Sequence, residues 1–292
     1  MERLLVVGAS GLLGSKFYDS GVAEYEVYGT YETHKIVGNN IFHLDVTDRS
    51  SVIKLVQKIK PDVVIDTHAL HNVDYCELNR EECWAVNVDG TKNIAEAGAA
   101  VGAKYVFIST DYVFDGSKKR YYEQDKPHPL NYYARTKCVA EHLLESLDIE
   151  YVVARTSVVY GTGGLGKTPF ALWLIEKLKK HEKVSAVIDQ YNNPSFADNV
   201  AGVVLKLASL DTKGIFHVVG RDCINRYEFA MAVANEFGLE SDYINPITSD
   251  KLKQVAERPI MLRLSNNKVE RTTNIKMLGV KDGLRELKSQ LV

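Results

Sequence analysis

Leu4-Leu5-Val6-Val7-Gly8-Ala9-Ser10-Gly11-Leu12-Leu13-Gly14 is the stretch on which the fold turns. Four consecutive apolar residues suit a strand of a parallel sheet covered on both faces. Three glycines follow at GxxGxxG spacing, and a helix is expected from about Leu12 to Ser20. Glycines in a strand-to-helix turn let the backbone approach a pyrophosphate, and the helix N-terminus presents aligned N–H groups to it. The same letters serve a tight turn with no ligand. Their place after the first strand and before a helix favours a dinucleotide loop. Gly8, Ser10, Gly11, Leu12, Leu13 and Gly14 are therefore candidate cofactor contacts.

The pattern repeats downstream. Glu26 to Tyr31 reads as a second strand, with Thr30 near its end. An acidic residue at that end would favour NAD through the ribose hydroxyls. Glu32 falls slightly late, and Thr33, His34 and Lys35 follow, a set that suits a 2′-phosphate. NADP is preferred, with His34 as a contact, and NAD stays open. Ile41 to Leu44 is a third strand with Asp45 and Val46 at its end. Val52, Leu55, Val56 and Ile59 carry helical spacing, Pro61 stops that helix, and Val63-Val64-Ile65 is a fourth strand. The loop Asp66 to His71 then lies at a strand's C-terminal end, where open α/β sheets bind ligands, which nominates His68, Ala69 and Leu70. His68 and His71 have no acidic or thiol partners at metal spacing, so no metal site is expected. Strands alternating with helices over the first ~160 residues indicate an α/β fold with a doubly wound parallel sheet.

Composition narrows the function. The 292 residues are 45% apolar and 25% charged, and 36 Lys and Arg balance 38 Asp and Glu. No basic block appears, so nucleic acid is not the expected partner. No apolar run approaches the ~20 residues that span a bilayer, so no membrane partner is expected. The N-terminus enters the first strand without a signal-peptide layout. Cys76, Cys83, Cys138 and Cys223 form no CxxC pair, which fits free thiols in a reducing cytoplasm.

Tyr105-Val106-Phe107-Ile108 is a buried strand pattern that ends in Ser109-Thr110-Asp111-Tyr112-Val113-Phe114. Tyr133 and Lys137, four apart, share a helix face with about 6 Å between their Cβ atoms. A free Tyr has a pKa near 10, too high for ready proton exchange at neutral pH. A nearby ammonium and a cationic nicotinamide favour the phenolate, and a shift of about three units needs roughly 4 kcal/mol. In that arrangement Thr110 donates to a reacting carbonyl oxygen, and Tyr133 protonates it as hydride arrives.

Gly161-Thr162-Gly163-Gly164-Leu165-Gly166-Lys167-Thr168 matches a phosphate-cradling P-loop letter for letter, with a strand before it and a helix from Phe170 to Leu178 after it. A dinucleotide loop already stands on the first strand, so a glycine-rich hinge leaving the sheet is the expected role. Residues 1–160, with 197–218 returning, are assigned to the cofactor domain, and 161–196 and 219–292 to a smaller C-terminal lobe.

Taken together these residues resemble an extended short-chain dehydrogenase/reductase, and more narrowly the dTDP-4-dehydrorhamnose reductase family. The resemblance rests on Gly8 to Gly14, Val73-Asp74 with Glu77, Asn87-Val88, Ser109 to Gly116, Pro129-Leu130-Asn131, Arg155-Thr156 with Val159-Tyr160-Gly161, and Arg258-Pro259. It implies a Rossmann domain with a C-terminal substrate-binding lobe. It implies a catalytic triad of Thr110, Tyr133 and Lys137, with Lys137 also holding the nicotinamide ribose. It implies an NADP-preferring reductase of a 4-keto-6-deoxy sugar nucleotide, contacted by Asp111, Tyr112, Val113, Asn193 and Arg258. Three positions depart from the pattern: Asp66-Thr67-His68-Ala69 replaces a small Ala-Ala pair, Ala134 replaces Gly, and Tyr191 to Ser195 replaces small residues and threonine. His68 is expected to enlarge and polarise a loop facing the cofactor. The chain is similar as well to the NADP-binding regulatory beta subunit of methionine adenosyltransferase, which would make that enzyme a partner, and to sugar-nucleotide epimerases. A homodimer is compatible with either reading.

Overall fold

The computed structural model describes residues 1–38 and 40–291. Seven parallel strands form the central sheet: β1 (Glu2–Val7), β2 (Tyr25–Tyr31), β3 (Ile41–His43), β4 (Val63–Asp66), β5 (Lys104–Thr110), β6 (Tyr151–Thr156) and β7 (Gly214–His217). Their order across the sheet is β7-β6-β5-β4-β1-β2-β3. The direction of winding reverses between β1 and β4, so a crevice opens beyond the carboxyl ends of those two strands. Leu4 to Val7 and all of β5 are buried, as continuous apolar runs demand of strands covered on both faces.

Helices cover the two faces. α1 (Leu12–Gly21) packs on the side closed by α8 (Ala197–Ser209), while α2 (Arg49–Ile59), α5 (Thr91–Ala99) and α6 (Tyr132–Ser146) cover the other. Between β4 and α5 lie α3 (Val73–Leu78), α4 (Arg80–Trp84) and one π-helical segment, Ala85–Gly90. A third apolar core gathers α7 (Phe170–Lys179), α9 (Arg226–Phe237) and α11 (Val280–Ser289) around Tyr160 and Phe229. α10 (Asn267–Thr273) lies against α8. β7 pairs with β6 in register Gly214↔Val152 to His217↔Arg155, which returns the chain to the central sheet after α8.

The C-terminal elements are tied to the end of β5 by polar side chains. Asn192 Nδ2 donates to Asp111 Oδ2 at 2.9 Å. Residues Tyr191–Asn192 pair antiparallel with Ile224–Asn225, immediately before α9. Arg258 Nη1 donates to Asp74 Oδ1 at 2.8 Å, which also accepts from the Val255 and Ala256 N–H groups. No helix among the described residues is long and apolar enough to cross a membrane.

Candidate active site

One cavity of about 430 Å³ opens at the carboxyl ends of β1, β4 and β5. Gly11, Leu12, Leu13 and Gly14 form one wall, and Thr110, Asp111, Tyr112, Tyr133 and Lys137 the other. Thr67, Ala69, His71, Thr156, Val159 and Arg226 are among the other lining residues.

The glycine wall is shaped for an anion. Gly8 has φ +84, a left-handed conformation that suits glycine. A Cβ at Gly14 would stand 2.0 Å from the Gly8 carbonyl oxygen, so turn and helix can meet this closely only without one. Gly11 caps α1 with no side-chain hydrogen bond, which leaves the first-turn N–H groups to a ligand. These features fit the pyrophosphate of a dinucleotide.

The opposite wall is held by a network. Asn131 caps α6, accepting from the Ala134 N–H at 2.9 Å, and Glu77 accepts from the Tyr132 N–H at 2.9 Å. Asn87, in the π-helical segment, accepts from the Leu70 N–H at 2.8 Å and donates to the Leu70 carbonyl at 3.1 Å and to Thr136 Oγ1 at 3.0 Å. A single amide thus fixes both the loop after β4 and the turn carrying Tyr133 and Lys137. Beneath them, Glu141 accepts from Ser109 and Arg155, a buried ion pair with N–O 2.6 Å. Lys137 Nζ lies 3.9 Å from the centre of the Phe107 ring. Thr110 Oγ1 donates to Asp111 Oδ1 at 3.2 Å, and Asp111 also accepts from Ser157 at 2.5 Å. To reach a reacting oxygen, the Thr110 hydroxyl must exchange that bond for a new one.

Burial dominates the electrostatics. It pushes the Tyr133 phenol well above its usual value, against the hydroxyl of Thr110, which lowers it. It pulls Lys137 down to about 8, against the carboxylates of Asp66 and Glu141, which raise it. The expected lowering of the phenol rests on a bound nicotinamide cation as well as on Lys137. That expectation counted two cations, whereas the chain supplies one, and burial partly discharges it.

Several other nominated residues have partners away from the cavity lining. The His68 side chain turns away from the cavity. Its Nδ1 meets Asp66 Oδ1, and its Nε2 lies 2.9 Å from the Val86 carbonyl oxygen. That carbonyl can only accept, so Nε2 is the donor of this contact. Asp66 Oδ2 accepts from the Tyr105 hydroxyl at 2.5 Å. Val113 is buried in an apolar cluster with Phe114, Tyr121 and Leu262. Asn193 clamps backbone, donating to the Gly220 carbonyl at 2.8 Å and accepting from the Leu264 N–H at 2.9 Å. Arg258 is committed to Asp74 and the Ala256 carbonyl. Thr30 serves the glycine turn, its hydroxyl accepting from the Gly8 N–H at 3.2 Å. Leu70 is held by Asn87, Val46 is buried, and Asp45 caps its own turn through Thr47. His34 is exposed beside Thr33, outside the cavity lining. Ser10 uses its carbonyl to accept from the Leu165 N–H at 2.8 Å. The reading of the sequence missed Arg226. Its one local signal is the Asn225-Arg226-Tyr227-Glu228 capping box, which fixes it in the first turn of α9. Among the described residues no cluster of His, Cys, Asp or Glu could hold a metal ion.

A family model described as the RmlD substrate binding domain matches residues 1–292. A dTDP-4-dehydrorhamnose reductase of Mycobacterium tuberculosis is 32% identical over 271 residues, 91% of this chain and 85% of that one. A methionine adenosyltransferase 2 subunit beta of Xenopus laevis is also 32% identical, covering 98% of this chain and 86% of its own. The crystal structure of a dTDP-4-dehydrorhamnose reductase from Bacillus anthracis in complex with NADP superposes with a TM-score of 0.90 at 29% identity, covering 99% of both chains.

Proposed function

Because this chain belongs to the RmlD substrate binding domain family, we propose that it is an NADP-preferring reductase of a 4-keto-6-deoxy sugar nucleotide. One observation carries the reading: Thr110, Tyr133 and Lys137 share a cavity with an uncapped helix N-terminus built on Gly11 to Gly14. The relative from Bacillus anthracis binds NADP, which supports the choice of cofactor.

The residues divide the work. The first-turn N–H groups of α1 would hold the pyrophosphate, and Lys137 would hold the nicotinamide ribose. The nicotinamide supplies the hydride when bound. Tyr133, kept neutral by burial, carries the proton that the substrate oxygen takes up. Thr110 turns its hydroxyl from Asp111 to that oxygen and orients the carbonyl. The carboxylates of Asp66 and Glu141 favour the ammonium of Lys137 against the cost of its burial. Four free thiols support a reducing cytoplasm as the setting of the reaction.

The test is turnover of a keto sugar nucleotide with NADPH, read by absorbance. Tyr133→Phe should lower kcat by about 10²–10⁴-fold while NADPH binding is retained. Full activity in that variant would sink the mechanism. The likeness to the methionine adenosyltransferase beta subunits carries a second reading, a regulatory protein that binds NADP without turning over. That reading replaces the first if the purified protein binds NADPH, reduces no keto sugar nucleotide and co-purifies with a methionine adenosyltransferase.

A further inference from the structure

The catalytic cavity has a second cation on its lining besides Lys137: Arg226, in the first turn of α9. The other two arginines near the site are spent. Arg155 is closed on Glu141 and Arg258 on Asp74. Arg226 has no ion-pair partner among the described residues, and its guanidinium lies 5.8 Å from the centre of the Phe170 ring. It is only partly buried. A guanidinium left free on a cavity wall costs little while water reaches it, and it offers a planar fork of donors matched to phosphate oxygens.

Its position is fixed rather than accidental. The capping box closes around it, with the Asn225 N–H donating to Glu228 at 2.9 Å and the Glu228 N–H to Asn225 at 2.8 Å. Asn225 pairs with Tyr191, and the adjacent Asn192 is bonded to Asp111 beside Thr110. A short covalent and hydrogen-bonded path therefore sets Arg226 against the catalytic strand end. The charge of Arg226 reaches Asp111 and Tyr112, which line the same cavity. The glycine turn already answers the cofactor's pyrophosphate with backbone N–H groups. Asp111 is taken up by Ser157, Asn192 and Thr110 and forms no ion pair with the guanidinium.

We propose that Arg226 binds the diphosphate of the sugar-nucleotide substrate and makes a doubly phosphorylated handle a requirement of the site. The assignment rests on the reductase reading above for its substrate, but its test does not need turnover. Protein saturated with NADPH is titrated calorimetrically with thymidine diphosphate, uridine diphosphate and thymidine. Arg226→Gln should weaken nucleoside diphosphate binding roughly 10- to 100-fold, with Arg226→Lys intermediate and thymidine binding unchanged. NADPH affinity should stay within about 2-fold in both variants. In turnover the loss should fall on KM for the sugar nucleotide. The assignment is overturned if Arg226→Gln binds nucleoside diphosphates as well as the unaltered protein does. It is overturned equally if NADPH affinity falls instead, or if the unaltered protein binds neither diphosphate. Diphosphate binding that depends on Arg226, without any turnover, would leave the assignment standing and remove the reductase reading alone.

Discussion

Two glycine-rich stretches of this chain, Gly8 to Gly14 and Gly161 to Thr168, both follow strands and precede helices, yet they do opposite things. The first is a receptacle. Its helix starts at Leu12, directly after the turn, and the orphan N–H groups of that helix open into the cavity. The second is a cover. The Leu165 N–H donates to the Ser10 carbonyl at 2.8 Å, and Gly164 sits so close that a Cβ would meet the Leu12 nitrogen at 2.7 Å. Gly163 lies against Ser15 in the same way. Expected as a hinge leaving the sheet, the second stretch instead folds back onto the first. What separates the two is the start of the helix. Pro169 stands at the cap of α7, so Lys167 and Thr168 precede the helix instead of opening it. A P-loop needs that lysine and hydroxyl in the first turn, where helix N–H groups converge on phosphate.

The contrast is broken most directly at Gly14. Gly14→Ala puts a methyl group 2.0 Å from the Gly8 carbonyl oxygen, a clash with backbone that rotamers cannot relieve. Opening the turn costs about 3 kcal/mol, which predicts NADPH affinity lower by about 100-fold. Calorimetric titration reads it, and unaltered affinity would mean that the first turn is no receptacle.

The wall facing the receptacle carries a cost of its own. Lys137 falls from the usual 10.5 to about 8 because burial disfavours its charge. The unfolded chain therefore binds a proton that the folded chain lacks between about pH 8 and 10.5, and stability from this group rises with pH across that window. Below pH 8 the cost is full, about 3 kcal/mol by the depression of the pKa. Lys137→Met should gain up to about 3 kcal/mol in urea denaturation at pH 7 and lose most of that gain by pH 10.5. A variant no more stable at pH 7 would show that Lys137 is well solvated by its surroundings.

The cover is tested at Gly164. Its φ of +71 and the contact with Leu12 both resist a side chain. Gly164→Ala should lift the loop and weaken NADPH about 10-fold, with little change in melting temperature. If affinity holds, the loop lies on the first turn without contributing to binding.

What was legible in the sequence follows the range of the interactions. The strand, turn and helix at Leu4 to Gly14 are local, and periodicity with three glycines sufficed. So did the alternation that yields seven parallel strands, because each strand's burial is written in its own apolar run. That Thr110, Tyr133 and Lys137 would meet in one cavity was readable because Thr110 ends a strand while Tyr133 and Lys137 share one helix face. The partners of His68 were not readable because Asp66, Tyr105 and Val86 are brought together only by the folded sheet. Asn193 and Val113 sit beside cavity residues in sequence, but the backbone turns them inward. Arg226 went unnoticed because a free guanidinium is visible only once every nearby carboxylate has been matched to another partner.

The smallest effect is the sharpest statement of the comparison. Lys167 is exposed, three residues before α7, in a loop whose backbone is turned toward Ser10 and Leu12 rather than toward a phosphate. Its charge has nothing to clamp there that the Gly11 to Gly14 N–H groups do not already hold. Lys167→Ala should leave NADPH affinity and turnover within about 2-fold, and neither ATP nor GTP should bind the unaltered protein in the presence of magnesium. A loss of tenfold or more in NADPH affinity would make the second stretch part of the phosphate site and erase the distinction between receptacle and cover. Magnesium-dependent ATP binding lost in the same variant would reverse it, because the letters of the P-loop would then have prevailed over the proline at the helix cap.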